Sequence, residues 1–133
     1  KNNRFIPQVI EGCIKKKSFP VSSGNQIRDF CYIDDVVKAI ITSLRNKKSF
    51  GEVINIASGN PVKIKHVINS IIKKVGFGKA DFGKIKYRDF ENMKLYADVT
   101  KAKKLLNWKP AIALDEGLDL IINSKLKKWI AHL

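Results

Sequence analysis

Two arginines and a few neighbouring polar residues are the groups of this chain whose types and spacing point to chemistry. Arg28 lies in Gln26-Ile27-Arg28-Asp29-Phe30-Cys31-Tyr32-Ile33-Asp34-Asp35, among residues that favour a pleated surface. An arginine among strand apolars needs a partner or a ligand. Its planar fork donates two parallel hydrogen bonds, which suits a phosphate. An internal pair with a carboxylate meets the same need. Asp29 is placed either to orient Arg28 or to cap nearby backbone. Arg88 and Glu91 put a cation and an acid around one loop tip, where solvation of both charges is the competing reading. Asn55 ends an apolar run and is either a ligand contact or a turn former. His66 and His132 are isolated, and no Cys-x-x-Cys or His/Cys cluster has metal-ligand spacing.

The elements that must position these groups alternate between helices and short strands, an α/β pattern. Phe5, Ile6, Val9, Ile10, Cys13 and Ile14 repeat at helical spacing, with Pro7 in the first turn. Phe19-Pro20-Val21 reads as extended, closed by a turn at Gly24-Asn25. Residues 26–33 read as a strand, with Ile27, Phe30 and Ile33 as core. Asp34 and Asp35 read as an N-cap for a helix whose apolar face is Val36, Val37, Ile40, Ile41 and Leu44. Residues 52–57 read as a strand ending in a Ser58-Gly59-Asn60-Pro61 turn. Ile64, Val67, Ile68, Ile71, Ile72 and Val75 give a third helix with Gly76 as C-cap. Residues 76–83 read as a loop and 84–88 as a strand. Asp98 caps a short helix that buries Ala102, Leu105 and Leu106. Asp115 starts a last helix running to about Ile130, with Leu118, Ile121, Ile122, Leu126, Trp129 and Ile130 inward. About five helices with short strands are expected, and residues 1–133 read as a single domain.

Composition narrows the classes. The chain has 133 residues, the size of one ordinary domain, and 44% of them are hydrophobic. No apolar run approaches the roughly 20 residues needed to span a bilayer, so no membrane partner is expected. Cys13 and Cys31 fit two buried free thiols in a reducing cytoplasm. Twenty-six basic against 12 acidic residues give a net charge of +14, which favours polyanionic partners. Lysine clusters such as Lys15-Lys16-Lys17 and Lys127-Lys128 fall at the ends or polar sides of expected helices, where they complement the dipole and wet the surface. A basic nucleic-acid-binding protein expects lysines and aromatics on one face; the scatter argues against nucleic acid.

The run from Gln26 to Asp35, continued by Val36-Val37-Lys38-Ala39, resembles extended short-chain dehydrogenases/reductases acting on sugar nucleotides. These include NAD-dependent 4-epimerases, 4,6-dehydratases and 4-ketoreductases. Further landmarks follow in the family's order. They are Arg4-Phe5-Ile6-Pro7, Phe19-Pro20-Val21, Val53-Ile54-Asn55-Ile56-Ala57-Ser58-Gly59, Tyr87-Arg88-Asp89-Phe90-Glu91, and the closing Asp98-x-x-Lys101-Ala102 to Trp108-x-Pro110. The resemblance implies that Arg28 contacts the substrate diphosphate and that Arg88 binds phosphate while Glu91 binds ribose hydroxyls. It implies that Arg4 and Phe5 lie along the nucleotide, that Pro20 and Val21 line the base, and that Asn55 reaches the nucleotide. The implied substrate is a UDP-, dTDP-, CDP- or GDP-linked sugar. The Ser22-Ser23-Gly24-Asn25 turn looks most like enzymes that build deoxy-sugars for bacterial surface polysaccharide.

Two features of the family's chemistry are missing. One is a Gly-x-x-Gly-x-x-Gly turn, which cradles the dinucleotide pyrophosphate. The other is a Tyr-x-x-x-Lys pair for proton transfer: Tyr32 is followed four residues on by Val36, Tyr87 by Glu91 and Tyr96 by Thr100. The chain is therefore expected to hold the C-terminal, substrate-gripping part of such an enzyme, with no catalytic residue and no cofactor of its own. NAD or NADP and an N-terminal Rossmann domain are implied for the complete enzyme. Apolar area left bare by that domain is expected to favour self-association. A free-standing sugar-nucleotide- or phosphate-binding module is the alternative.

Overall fold

The computed structural model describes residues 4–15 and 17–131. Among them are five α-helices and a few short strands, an α/β arrangement. The chain divides into two compact units. One comprises residues 1–26, 63–93 and 118–133, the other residues 27–62 and 94–117.

The first unit is built on α1 (Phe5–Ile14) and α3 (Ile64–Val75). Both follow the expected periodicity. They pack together through Val9, Ile10 and Cys13 on one side and Val67, Ile68, Ile71 and Val75 on the other. Burying each large aliphatic side chain contributes about 1.5–3 kcal/mol. Gly76 ends α3 in the left-handed conformation, its N–H bonded to the Ile72 carbonyl at 2.9 Å. Leu118 and Ile122 of α5 (Leu114–Ile130) are also buried. Trp129 and Ile130 are exposed, contrary to the sequence reading, because the apolar stripe continues past the end of its packing surface.

Strand β1 (Ser18–Pro20) pairs in parallel with β4 (Lys79–Asp81), Phe19 opposite Ala80. Residues 76–83 are thus not only a loop. The glycines that suggested one serve the turns around β4. Gly78 sits at φ +93° where a Cβ would fall 2.7 Å from the Cys13 Cα. Residues 84–88 form no strand; Ile85 bonds instead to the Val21 carbonyl.

In the second unit, β2 (Ile27–Arg28) runs parallel to β5 (Lys94–Leu95), and β3 (Val62–Lys63) flanks β2 on its other side. The strand expected over residues 26–33 is only two residues long. Residues 29–32 run on without a ladder, and Tyr32 is the N-cap of α2 (Ile33–Arg45), with no side-chain cap bond. Asp34 and Asp35 therefore lie inside the first turn rather than at the cap. Ile33 is exposed, not core.

The core of this unit is Ala39, Ala102, Leu106 and Trp108, with Cys31, Ile54 and Ile56 packed against it. Helix α4 (Thr100–Leu106) has Val99 rather than Asp98 as its N-cap, although the Asp98 carboxylate, one residue earlier, accepts from the Thr100 N–H at 2.8 Å. Hydrogen bonding to the Thr100 side chain, and next to its N–H, lowers Asp98 from its ordinary carboxylate value. Residues 52–57 form no ladder, yet their exposure alternates as a strand's does. Ile54 and Ile56 face the core, while Val53 is 84% exposed. No helix among the described residues is long and apolar enough to cross a membrane.

Candidate functional site

In the first unit the ordering of the candidate residues comes from backbone bonds between distant segments. The Val21 N–H donates to the Asp81 carbonyl, extending the β1–β4 ladder, and the Ile85 N–H donates to the Val21 carbonyl, each at 3.1 Å. Four residues further along one segment and two along the other, the Asn25 N–H donates to the Tyr87 hydroxyl at 3.1 Å. These bonds hold the segment carrying Pro20 and Val21 beside the one leading to Arg88. Between them, the turn at Gly24 docks on the start of α3. The Lys65 N–H donates to the Gly24 carbonyl at 2.8 Å and the Ile64 N–H to Gln26 at 2.9 Å. Gly24 is needed there: at φ +72° its Cβ would stand 2.9 Å from the Lys65 nitrogen.

After Tyr87 the chain folds into a turn closed by the Glu91 N–H on the Arg88 carbonyl at 3.1 Å. Arg88 is exposed at one end and Glu91 half-buried at the other. Pro20 is exposed and Val21 half-buried. Arg4 is the exposed N-cap of α1, and Phe5 begins that helix, half-buried. A concavity of about 320 Å³ in this unit, lined by Pro7, Ile10, Trp129 and Lys125 among others, involves none of the residues assigned from sequence.

In the second unit Arg28 is half-buried on β2, with its Nη1 donating to the Ile27 carbonyl at 2.8 Å. That bond occupies one of five guanidinium donors and fixes the head close to its own strand. Asp29 resolves to the backbone role. Its two carboxylate oxygens accept from the Ser58 and Gly59 N–H groups at 2.8 Å each, pinning the turn after residues 52–57. Asn55 is exposed and leans on its own unit, Nδ2 lying 3.4 Å from the Asp98 carbonyl.

Asp35 is the residue that sequence reasoning placed wrongly. Only 1% exposed, it accepts at Oδ2 from the Ala111 and Ile112 N–H groups at 3.0 and 2.9 Å. Its backbone carbonyl accepts from Trp108 Nε1 at 3.1 Å, and Lys38 Nζ stands 3.7 Å from Oδ1. The Tyr-x-Asp-Asp and Trp-x-Pro motifs, some 75 residues apart, are two sides of this one knot. Their common occurrence in a single sequence was the available signal. Both cysteines are free. Burial pushes the Cys13 thiol up to about 11. Cys31, only half-buried, is raised by burial and then by Asp35 and Asp29. Among the described residues no group of three or more His, Cys, Asp or Glu could hold a metal; His66 is exposed and His132 lies outside the described residues. The first unit presents exposed Arg88 and the second half-buried Arg28, each a guanidinium whose geometry suits an anion.

Residues 2–121 match the family described as GDP-mannose 4,6 dehydratase. A UDP-glucuronate 4-epimerase from Thermodesulfobacterium geofontis is 38% identical over 122 residues, covering 90% of this chain and 36% of the relative. A CDP-abequose synthase from Salmonella typhimurium is 34% identical over 128 residues, 90% of this chain and 42% of the relative. A UDP-glucuronic acid 4-epimerase from Bacillus cereus, solved with UDP-glucuronic acid and NAD, superposes with a TM-score of 0.81 at 29% identity, covering 92% of this chain and 40% of its own. The chain thus spans well under half the length of these relatives. By sequence match and by fold, it belongs to the GDP-mannose 4,6 dehydratase family and matches part of the extended short-chain dehydrogenases/reductases that include sugar-nucleotide epimerases and dehydratases.

Proposed function

We propose that this chain binds the nucleotide-diphosphate part of a sugar nucleotide as the C-terminal portion of an NAD(P)-dependent epimerase, dehydratase or reductase. Arg88 binds phosphate and Glu91 ribose hydroxyls, while Pro20 and Val21 line the base. Arg28 is a diphosphate ligand, Asn55 a nucleotide contact, and Arg4 and Phe5 lie along the nucleotide. The supporting observation is the set of backbone bonds that holds residues 20–25 beside residues 81–87, so that an apolar base-lining segment and a cationic turn share one scaffold. Remote binding energy of this kind positions a reacting sugar. In the complete enzyme, a nicotinamide cofactor supplies the redox chemistry; this chain contributes binding and orientation and no acid or base.

The face of α2 and residues 52–57 are the surface that meets the cofactor-binding domain. Val37, Ile40, Ile41 and Leu44 are all more than 40% exposed, and Val53 beside them in sequence order is 84% exposed. A strand-like segment without a ladder, preceded by a bare apolar helix face, fits a sheet edge completed by another domain. The cytoplasm is the compartment this reading implies, and deoxy-sugar synthesis for surface polysaccharide is the pathway class favoured by the Ser22–Asn25 turn.

A thermal-shift panel of UDP-, dTDP-, CDP- and GDP-sugars tests the proposal, with Arg28→Ala alongside. Stabilisation by one nucleotide class, reduced in the variant, is the expected result. No stabilisation by any of the four would remove the autonomous binding site.

A further inference from the structure

Two non-glycine residues among those described have positive φ: Asn107 at +49° and Phe90 at +60°. Asn107 has a local reason. It is the left-handed C-cap of α4, a position asparagine tolerates because its short polar side chain bonds locally. Phe90 has no such reason. It stands at the third position of the turn closed by the Glu91 N–H on the Arg88 carbonyl, where positive φ calls for glycine. A bulky residue held there is strained, its Cβ crowding the following carbonyl oxygen. Its ring gains nothing back by burial, since Phe90 is 103% exposed. Folding of this unit therefore accounts for neither the residue type nor the placement of its side chain.

We infer that Phe90 is a nucleobase-contacting residue, its ring held out by the left-handed turn to stack on the base of the bound nucleotide. The inference rests on the proposed nucleotide-binding role of Arg88 and Glu91, the residues flanking it. The turn is tethered to the base-lining segment: Tyr87, three residues before Phe90, accepts from the Asn25 N–H. Phe90 follows Tyr87 by three residues, which span at most about 10 Å of backbone, so it lies on the same tethered turn. An aromatic face stacks on any base and gains affinity without reading its edge. Arg88 and Glu91 supply the charge and hydroxyl contacts, and Phe90 supplies the apolar one. Backbone strain kept at a ligand-facing turn is a recurring device where a side chain must be presented.

The test is a titration of UDP, dTDP, CDP and GDP against the wild-type chain, Phe90→Gly and Phe90→Tyr, with the base protons of the nucleotide followed by NMR. Glycine suits the turn, so the Tm of the unliganded Phe90→Gly chain should hold or rise. The same variant should bind the preferred nucleotide about tenfold more weakly, the scale of one lost base–aromatic stack. The upfield ring-current shift of the base protons should vanish with it, and Phe90→Tyr should keep both. Unchanged affinity and shift in Phe90→Gly would overturn the inference while leaving the nucleotide site intact. Weaker binding with the shift retained would also overturn it, because Phe90 would then act only on the shape of the turn. Absence of binding by the wild-type chain would instead refute the underlying nucleotide reading, and the inference with it.

Discussion

Helices α2 and α3 carry nearly the same amphipathic pattern and meet opposite fates. Along α3, Val67, Ile68 and Ile71 are at most 1% exposed. Along α2, Ile33, Val37, Ile40, Ile41 and Leu44 are 44–72% exposed, and the buried side is held by Ala39 and the carboxylate of Asp35. Periodicity announces that a helix has a face to bury. It does not announce what the face is buried against. For α3 the answer is α1, within the chain; for α2 the small Ala39 meets the internal core and the large aliphatics face outward.

The most severe way to sharpen this contrast is Ile71→Ala. Truncation in the packed α1–α3 interface should cost about 2–5 kcal/mol, read by urea denaturation. Next is Asp35→Ala, which leaves the Ala111 and Ile112 N–H groups without the buried carboxylate that accepts from them. It should cost about 1–3 kcal/mol, and the emission of Trp108 should report a loosened turn. Leu44→Lys on the bare face should change stability by no more than about 0.5 kcal/mol. Paired with Ile40→Lys it should also reduce self-association measured by sedimentation. A large destabilisation from Leu44→Lys would show that the α2 face is used internally after all.

The smallest expected effect is a pH dependence at Asp98. Its carboxyl is lowered in the fold by hydrogen bonds to the Thr100 side chain and N–H, so the contribution is present above the unfolded carboxylate range and lost as pH falls through the folded value. The difference in Tm between wild type and Asp98→Ala should therefore narrow as the solution is acidified below about pH 4.

Most of the helices were legible in the sequence because their apolar spacing, the Gly76 cap of α3 and their lengths agree. The strands were less so. Beta4 and β5 are two or three residues long, built from Lys, Ala and Asp or Lys and Leu, too short for alternation to register. Residues 52–57 have a strand's alternation without a strand's partner, and sequence cannot tell the two apart. Of the residues assigned to the candidate site, Arg28, Arg88 and Glu91 stand out in the sequence by charge, whereas Arg4, Phe5, Pro20, Val21 and Asn55 were singled out through the family resemblance. The network around them was not legible, since Asp29 on the Ser58–Gly59 backbone and Asp35 on the Ala111–Ile112 backbone are long-range bonds from carboxylates that read locally as an arginine's partner and a helix cap. Phe90 was overlooked because a lone aromatic in a loop carries no pattern; only its φ and exposure mark it.

Calorimetric titration of the preferred sugar nucleotide into wild type, Arg88→Ala and Leu44→Lys tests the central claim most directly. The account predicts saturable binding by wild type, an affinity lowered about tenfold or more in Arg88→Ala through loss of a charge-assisted phosphate contact, and wild-type affinity in Leu44→Lys. Equal affinities in wild type and Arg88→Ala would contradict it.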